Sequence, residues 1–227
     1  MARSQPQAGV LQLRCAIESR WPVMLAIFSV ILLLAVLPSR VRVFPAWVPW
    51  LTLIVLIVPM AALALNTATG PLLRIERIVT ACFFVVAAFG IIAALKILFS
   101  AMVRHASAIT GLQLLTSSVA VWATNVLVFS VAYWRIDRGG PEARANHANR
   151  KPDWLFPQDD AGEDVPPDWC PTFVDYLFLA FCTATAFSPS DAQPLTSRSK
   201  LLMMLESIIA LVTTVAIAAR AINTLGS

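Results

Sequence analysis

The sequence predicts an all-α integral membrane protein, with five transmembrane helices and a shorter helix that re-enters the membrane between the fourth and fifth. Three observations lead there: the apolar fraction, the length of the apolar runs, and one run that is too short. Hydrophobic residues make up 58% of the 227-residue chain and charged residues 13%, with a mean hydropathy of +0.74. A soluble domain carries roughly 25% charged residues, about twice what this chain has to wet a surface. The apolar residues gather in five runs, at 21–38, 46–65, 78–100, 108–134 and 200–222. Each is adequate for a hydrocarbon core of about 30 Å crossed at about 1.5 Å per residue.

The run ends support those boundaries. Trp21, Trp47, Trp50, Tyr133 and Trp134 lie where an amphipathic ring can keep its body among acyl chains and its polar tip in the headgroups. The long polar stretch from Arg135 to about Asp168 opens with Gly139-Gly140-Pro141 and carries the acidic residues Asp159, Asp160, Glu163 and Asp164; it reads as an exposed linker or small cap. The chain thus divides into an amino-terminal segment (1–20), a three-helix membrane region (21–107), a fourth span (108–134), the linker or cap (135–171), a short helix with its following loop (172–196), and the last span with the carboxy terminus (197–227). Residues 1–37 imitate a signal peptide, with Arg3, Arg14 and Arg20 ahead of an apolar stretch, but no small-x-small cleavage site follows, so a retained span is expected.

Composition excludes several kinds of chemistry. The 17 basic residues against 13 acidic ones are scattered at the ends of apolar runs rather than forming a stripe, which gives nucleic acid binding no support. Cys15, Cys82, Cys170 and Cys182 show no metal-ligand spacing and no disulfide framework, and Cys82 and Cys182 sit inside apolar runs as small hydrophobes do. With His105 and His147 the only histidines, neither a metal centre nor a cofactor is expected. The first three runs also lack the regularly spaced arginines of a voltage-sensing helix.

Segment 173–186 (FVDYLFLAFCTATA) breaks the pattern: apolar and aromatic, it has only 14 residues and is followed by polar FSPSDAQPLTSRSK. That length suits a re-entrant helix or one lying on the membrane surface. Thr172 can cap its start, with Asp175 three residues on facing the unsatisfied amides.

From Asp175 onward the residues run Asp175-Tyr176-Leu177-Phe178-Leu179-Ala180-Phe181-Cys182-Thr183-Ala184-Thr185-Ala186-Phe187-Ser188-Pro189-Ser190-Asp191-Ala192-Gln193-Pro194-Leu195-Thr196, then Lys200-Leu201. This resembles, without a gap, the pore module of the P-loop ion-channel superfamily: outer helix, short pore helix, filter strand, inner helix. The two-span potassium channels share the pattern Asp-Ala-Leu-Tyr-Phe-Ser-Phe-x-Thr-x-Thr-Thr-Val-Gly-Tyr-Gly-Asp-x-x-Pro-x-Thr. The likeness covers about the last quarter of the chain, with 108–134 as the implied outer helix, and the whole layout resembles an uncharacterised family of bacterial five-span membrane proteins. It implies a homotetramer in the lipid bilayer with inorganic ions as its partners, and a filter-like loop formed by Thr185, Ala186, Phe187, Ser188, Pro189, Ser190 and Asp191.

Where a potassium filter has Thr-Val-Gly-Tyr-Gly, this chain has Ala186-Phe187-Ser188-Pro189-Ser190. Such a filter aims successive backbone carbonyls at dehydrated ions, using glycines in conformations that a Cβ disfavours. Left-handed dihedrals at Ser188 and Ser190 would cost about 1–2 kcal/mol each, and Pro189 fixes its own φ and removes an amide hydrogen. Selective potassium conduction is therefore not expected. The loop could instead offer serine hydroxyls and, in a tetramer, a carboxylate ring from Asp191.

Glu206 is the only acidic residue expected within a span. A charge at a helix centre costs about 2.5–3.5 kcal/mol, so Glu206 should face protein or water, or be protonated. It reads either as an ion-pathway or filter-supporting carboxylate, or as a near-interface residue pairing with Lys200 or Arg198. Ser207, Leu211, Thr214 and Ala218 share one helix face. By the resemblance Leu211, Thr214 and Ala218 line a cavity, although small residues at that spacing also serve close helix packing. Asn125, Ser117, Ser118 and Thr124 give the fourth span polar atoms that need partners, an expected interhelical contact.

With five spans, the face holding the amino terminus, the second loop and the 135–199 segment carries 12 Lys and Arg including Lys200, against five on the other face. Positive-inside reasoning weakly favours a cytoplasmic amino terminus, whereas the potassium-channel likeness places it outside. Three functional classes follow: a channel-like protein with a degenerate filter, a non-conducting scaffold or regulatory subunit that keeps the module, and a membrane-embedded enzyme. The last has no nameable base, nucleophile and oxyanion group among Glu206, Asp191, Ser188 and Ser190, so no enzyme is expected.

Overall fold

The computed structural model describes residues 19–37, 42–45, 47–65, 70–103, 111–145, 150–159, 165, 169–186 and 192–225. They are mostly helical: α1 (Trp21–Val36), α2 (Val48–Leu65), α3 (Gly70–Val103), α4 (Gly111–Ile136), the short α5 (Pro141–Ala145), α6 (Phe173–Thr185) and α7 (Ser197–Leu225). Four of them begin on a proline in the first turn, Pro22, Pro49, Pro71 and Pro141, where the missing amide hydrogen has no intrahelical partner to lose.

Three helices are long and apolar enough to cross a membrane, with spans at Arg74–Ile97, Leu115–Arg144 and Ser197–Ala219. The apolar helices α1 and α6 are shorter, at 16 and 13 residues. The expected third run starts at 78, yet α3 starts at Gly70 and takes in Glu76, which is 1% exposed. Glu206 is therefore not the sole acidic residue inside a long apolar helix. Glu76 is accommodated because Arg20, at the start of α1, donates to it at 3.2 Å.

The central helix is α4. It packs against α7, α6, α1 and α3, and 61% of its most apolar stretch is buried, against 22% for α7. Outward-facing apolar residues such as Phe89, Leu201 and Val215 leave α3 and α7 with surfaces suited to lipid. Arg20 also approaches Glu142 Oε1 at 3.9 Å, and Arg135 Nη1 donates to the same oxygen at 2.9 Å. The starts of α1 and α3 and the end of α4 thus meet at one end of the molecule.

At that end the described residues of the polar stretch after α4 form a packed cap. Arg138, Gly139 and Gly140 take φ values of 53°, 83° and 95°, reversing the chain within three residues. At Gly140 a Cβ would lie 2.9 Å from the Arg135 carbonyl oxygen, so glycine is required by space as well as by φ. Arg138 is held in its left-handed conformation by two bonds to the Asp159 carboxylate at 2.8 and 2.9 Å. Two-residue strands β1 (Trp154–Leu155) and β2 (Gln193–Pro194) pair antiparallel, Trp154 opposite Pro194, and join the cap to the segment entering α7.

The cap also corrects the reading of the cysteines. Cys170 is disulfide-bonded, whereas Cys82 and Cys182 remain thiols. Four cysteines without a recurring spacing give no pairing from sequence alone. The partner of Cys170 lies outside the described residues.

Candidate functional site

The short helix α6 is where the expected site residues meet. Its start is a capping box: the Thr172 N–H donates to Asp175 Oδ2 at 2.7 Å, and the Thr172 side chain in turn faces the Asp175 backbone N–H. Phe173, Tyr176, Leu179 and Ala180 are buried, and the helix packs against α4 on one side and α7 on the other. Trp122 of α4 meets Phe181 edge-on at 6.0 Å. The helix ends at Ala186, which takes a left-handed conformation (φ 52°) and donates its N–H to the Cys182 carbonyl.

Two buried aspartates fix this arrangement. Asp137, just past α4, is fully buried; its Oδ2 accepts the Tyr176 hydroxyl at 2.7 Å, and its Oδ1 accepts the Asp153 N–H at 2.8 Å. Asp153, also fully buried, accepts the Thr196 hydroxyl and Arg198 Nε, both at 2.6 Å, and a second bond from Arg198 Nη2. Trp154 donates its indole N–H to Met203 Sδ at 3.3 Å and stacks at a tilt on Tyr133 at 4.8 Å. Arg144 donates to the carbonyls of Trp134 and Asp137 and lies 5.3 Å above the Tyr176 ring. The cap therefore holds the end of α4, the first turn of α6 and the start of α7 with directional bonds.

A second polar cluster lies deeper between α4 and α7. Glu206 is 0% exposed and accepts the Tyr133 hydroxyl, while Asn125 Nδ2 donates to the Glu206 backbone carbonyl at 3.3 Å. Among the described residues Glu206 Oε1 and Asn125 Oδ1 have no hydrogen-bond partner. The expected interhelical contact of Asn125 is present, whereas Thr124 bonds back to the Ala120 carbonyl of its own helix at 2.7 Å. Arg198, one of the two basic residues that the near-interface reading offered as a partner for Glu206, pairs with Asp153 instead, because the first turn of α7 abuts the cap and Glu206 faces α4 two turns further on.

On the other side of α7 lies an open groove of about 1020 Å³. Thr183 to Ala186 form one wall, and Ser207, Leu211 and Thr214 form the other. Ser207 closes the groove's base by donating to the Thr183 carbonyl at 3.4 Å. The structure thus brings Thr185, Ala186, Leu211 and Thr214 together. Glu206 does not line the groove, and Ala218 is exposed further along α7, beyond it. Phe187, Ser188, Pro189, Ser190 and Asp191 lie outside the described residues.

Among the described groove residues Lys200 carries the only formal charge, so the wall offers hydroxyls and carbonyls instead of an acid–base pair. No group of three metal-ligating side chains occurs among the described residues. Tyr133, read from the sequence as an interface anchor, is instead fully buried on Glu206, and Asp137 and Asp153 were not singled out because they look like any other aspartates in a polar stretch; Tyr176 carried a signal, one position after the capping Asp175. No family model, curated protein or solved structure matches the chain.

Proposed function

We propose that the chain is a channel-like membrane protein in which α1, α2, α3, α4 and α7 cross the bilayer and α6 re-enters it, four copies surrounding a common path. The observation that carries this reading is the placement of α6: a 13-residue helix wedged between α4 and α7, its carboxy-terminal turn opening with α7 onto a groove. Outer, pore and inner helices of a P-loop module stand in that relation. Lining by Leu211, Thr214 and the end of α6 agrees with the stripe read from the sequence.

The path is not a selective potassium filter. Residues 186–190 contain no glycine and include Pro189, and Ala186 already takes the single left-handed conformation that ends α6. Ions of low selectivity suit hydroxyl and carbonyl walls of this kind. The missing glycines also favour a second reading, a non-conducting scaffold or regulatory subunit that retains the module.

Reconstituted liposomes separate the two. The channel reading expects a fourfold particle that dissipates an ion gradient, a flux that falls at least tenfold in Thr214→Phe, and altered flux when Pro189 or Asp191 is replaced. Fourfold assembly without flux assigns the scaffold. A monomer with no flux under any gradient rejects both.

A further inference from the structure

We infer that the capped end of the molecule faces an oxidising compartment, so that the amino-terminal end of α1 and the cap lie outside and the carboxy-terminal end of α7 lies in the cytoplasm. Cys170 sits in the cap, immediately before α6, and is disulfide-bonded. Protein disulfides persist in extracytoplasmic compartments and are kept reduced in the cytosol of ordinary cells. Cys82, on the apolar helix α3, and Cys182, buried in α6, remain thiols, so the oxidised cysteine is the one that belongs to the cap.

The rest of the chain follows by geometry. Arg20 at the start of α1, Glu76 near the start of α3 and Glu142 just past α4 meet beside the cap. Whatever faces the cap therefore faces the amino-terminal end of α1. The positive-inside expectation points the other way, but it rests on seven of the 12 basic residues that lie at or beyond Arg135. Loops longer than about 60 residues translocate largely regardless of their basic residues, and the stretch between α4 and α7 lies at that length. In this cap Arg135, Arg138 and Arg198 are engaged by Glu142, Asp159 and Asp153 within a folded unit. Without that stretch, five basic residues face five, and the disulfide decides.

This orientation rests on the multi-pass placement proposed above, but not on conduction. Its test reads sidedness, so a protein that passes no ions can still meet it. In a Cys82→Ala, Cys182→Ala background, Gln158→Cys in the cap and Trp47→Cys at the opposite end are treated with a membrane-impermeant maleimide on intact cells. The expected result is labelling of Gln158→Cys before permeabilisation and of Trp47→Cys only after it; the reverse pattern overturns the inference. The wild-type chain supplies a second readout that needs no folded variant. Denatured under alkylating conditions, it should take up two polymer-linked maleimides without reductant and four after reduction, as two thiols among four cysteines require. Uptake of four without reductant overturns it equally.

Discussion

The helices α1 to α3 and the unit formed by α4, the cap, α6 and α7 are both apolar, yet they are held together differently. In the first region the contacts between helices are aliphatic and aromatic: Ile27, Ile31, Leu56, Phe83 and Ile91 fill its core. Its described side-chain hydrogen bonds are few. Arg42 reaches the Ala35 and Leu37 carbonyls at the end of α1, Thr52 bonds back within α2, and Arg20 meets Glu76 at the capped end. In the second region Asp137, Asp153, Tyr133, Tyr176, Asn125 and Ser207 all bond across element boundaries. Apolar packing tolerates sliding and repacking, whereas a buried hydrogen bond fixes a register, because a half-made one leaves a polar group without water. The unit that carries the groove is the one whose geometry is fixed in this way.

The largest expected effect is at the junction of the cap. Asp137→Ala removes the acceptor of the Tyr176 hydroxyl and the Asp153 amide at a fully buried position, together with the carboxylate that faces Arg138 Nε at 3.5 Å, while the Arg144 bond to the Asp137 backbone carbonyl survives. The loss should be about 3–5 kcal/mol, the range for breaking a buried charged network by removing one partner. Thermal unfolding in detergent checks it, and a loss under 1 kcal/mol would mean that the cap is not what holds α6.

Next comes the pair inside the helix bundle. Tyr133→Phe strips Glu206 of its described donor and should cost about 1–3 kcal/mol. Combining it with Glu206→Leu should recover most of that loss, since replacing both members with apolar groups of similar shape leaves nothing unsatisfied. A double-substitution cycle measures the coupling. Additive losses would show that the two side chains do not act as a pair. In the other region, Ile91→Val trims one methylene from a core site 2% exposed and should cost about 0.5–1.5 kcal/mol.

Sequence reading reached these two regions unequally, for physical reasons. Apolar run lengths and the short run at 173–186 located α1, α2, α4, α6 and α7 to within a few residues, because helices in an apolar solvent are bounded by where apolar residues stop. The same rule misplaced the start of α3: Arg74, Glu76 and Arg77 ended the run, although Arg20, 56 residues away, supplies the partner that lets Glu76 be buried. The capping box at Thr172 and Asp175 was legible because both halves lie within three residues. Asp137 to Tyr176 spans 39 residues and Asp153 to Arg198 spans 45, and nothing local marks which aspartate of a polar stretch will be enclosed. The disulfide at Cys170 was illegible for the same reason, its pairing being set by the fold and not by spacing.

The smallest effect is the one that bears most on function. Thr214 is exposed in the isolated chain and faces the groove, so Thr214→Val, which keeps the side chain's shape and removes its hydroxyl, should shift stability by no more than about 0.5 kcal/mol. If the groove is a path for ions, that hydroxyl is one of the few polar atoms contributed by α7, and its loss should change flux in liposomes while unfolding stays the same. Ile91→Val should do the opposite, lowering stability and leaving flux per folded protein unchanged. Should both substitutions move stability alone, the α6–α7 face would be packing surface like that of α1 to α3, and the difference between the two regions would be one of rigidity without transport.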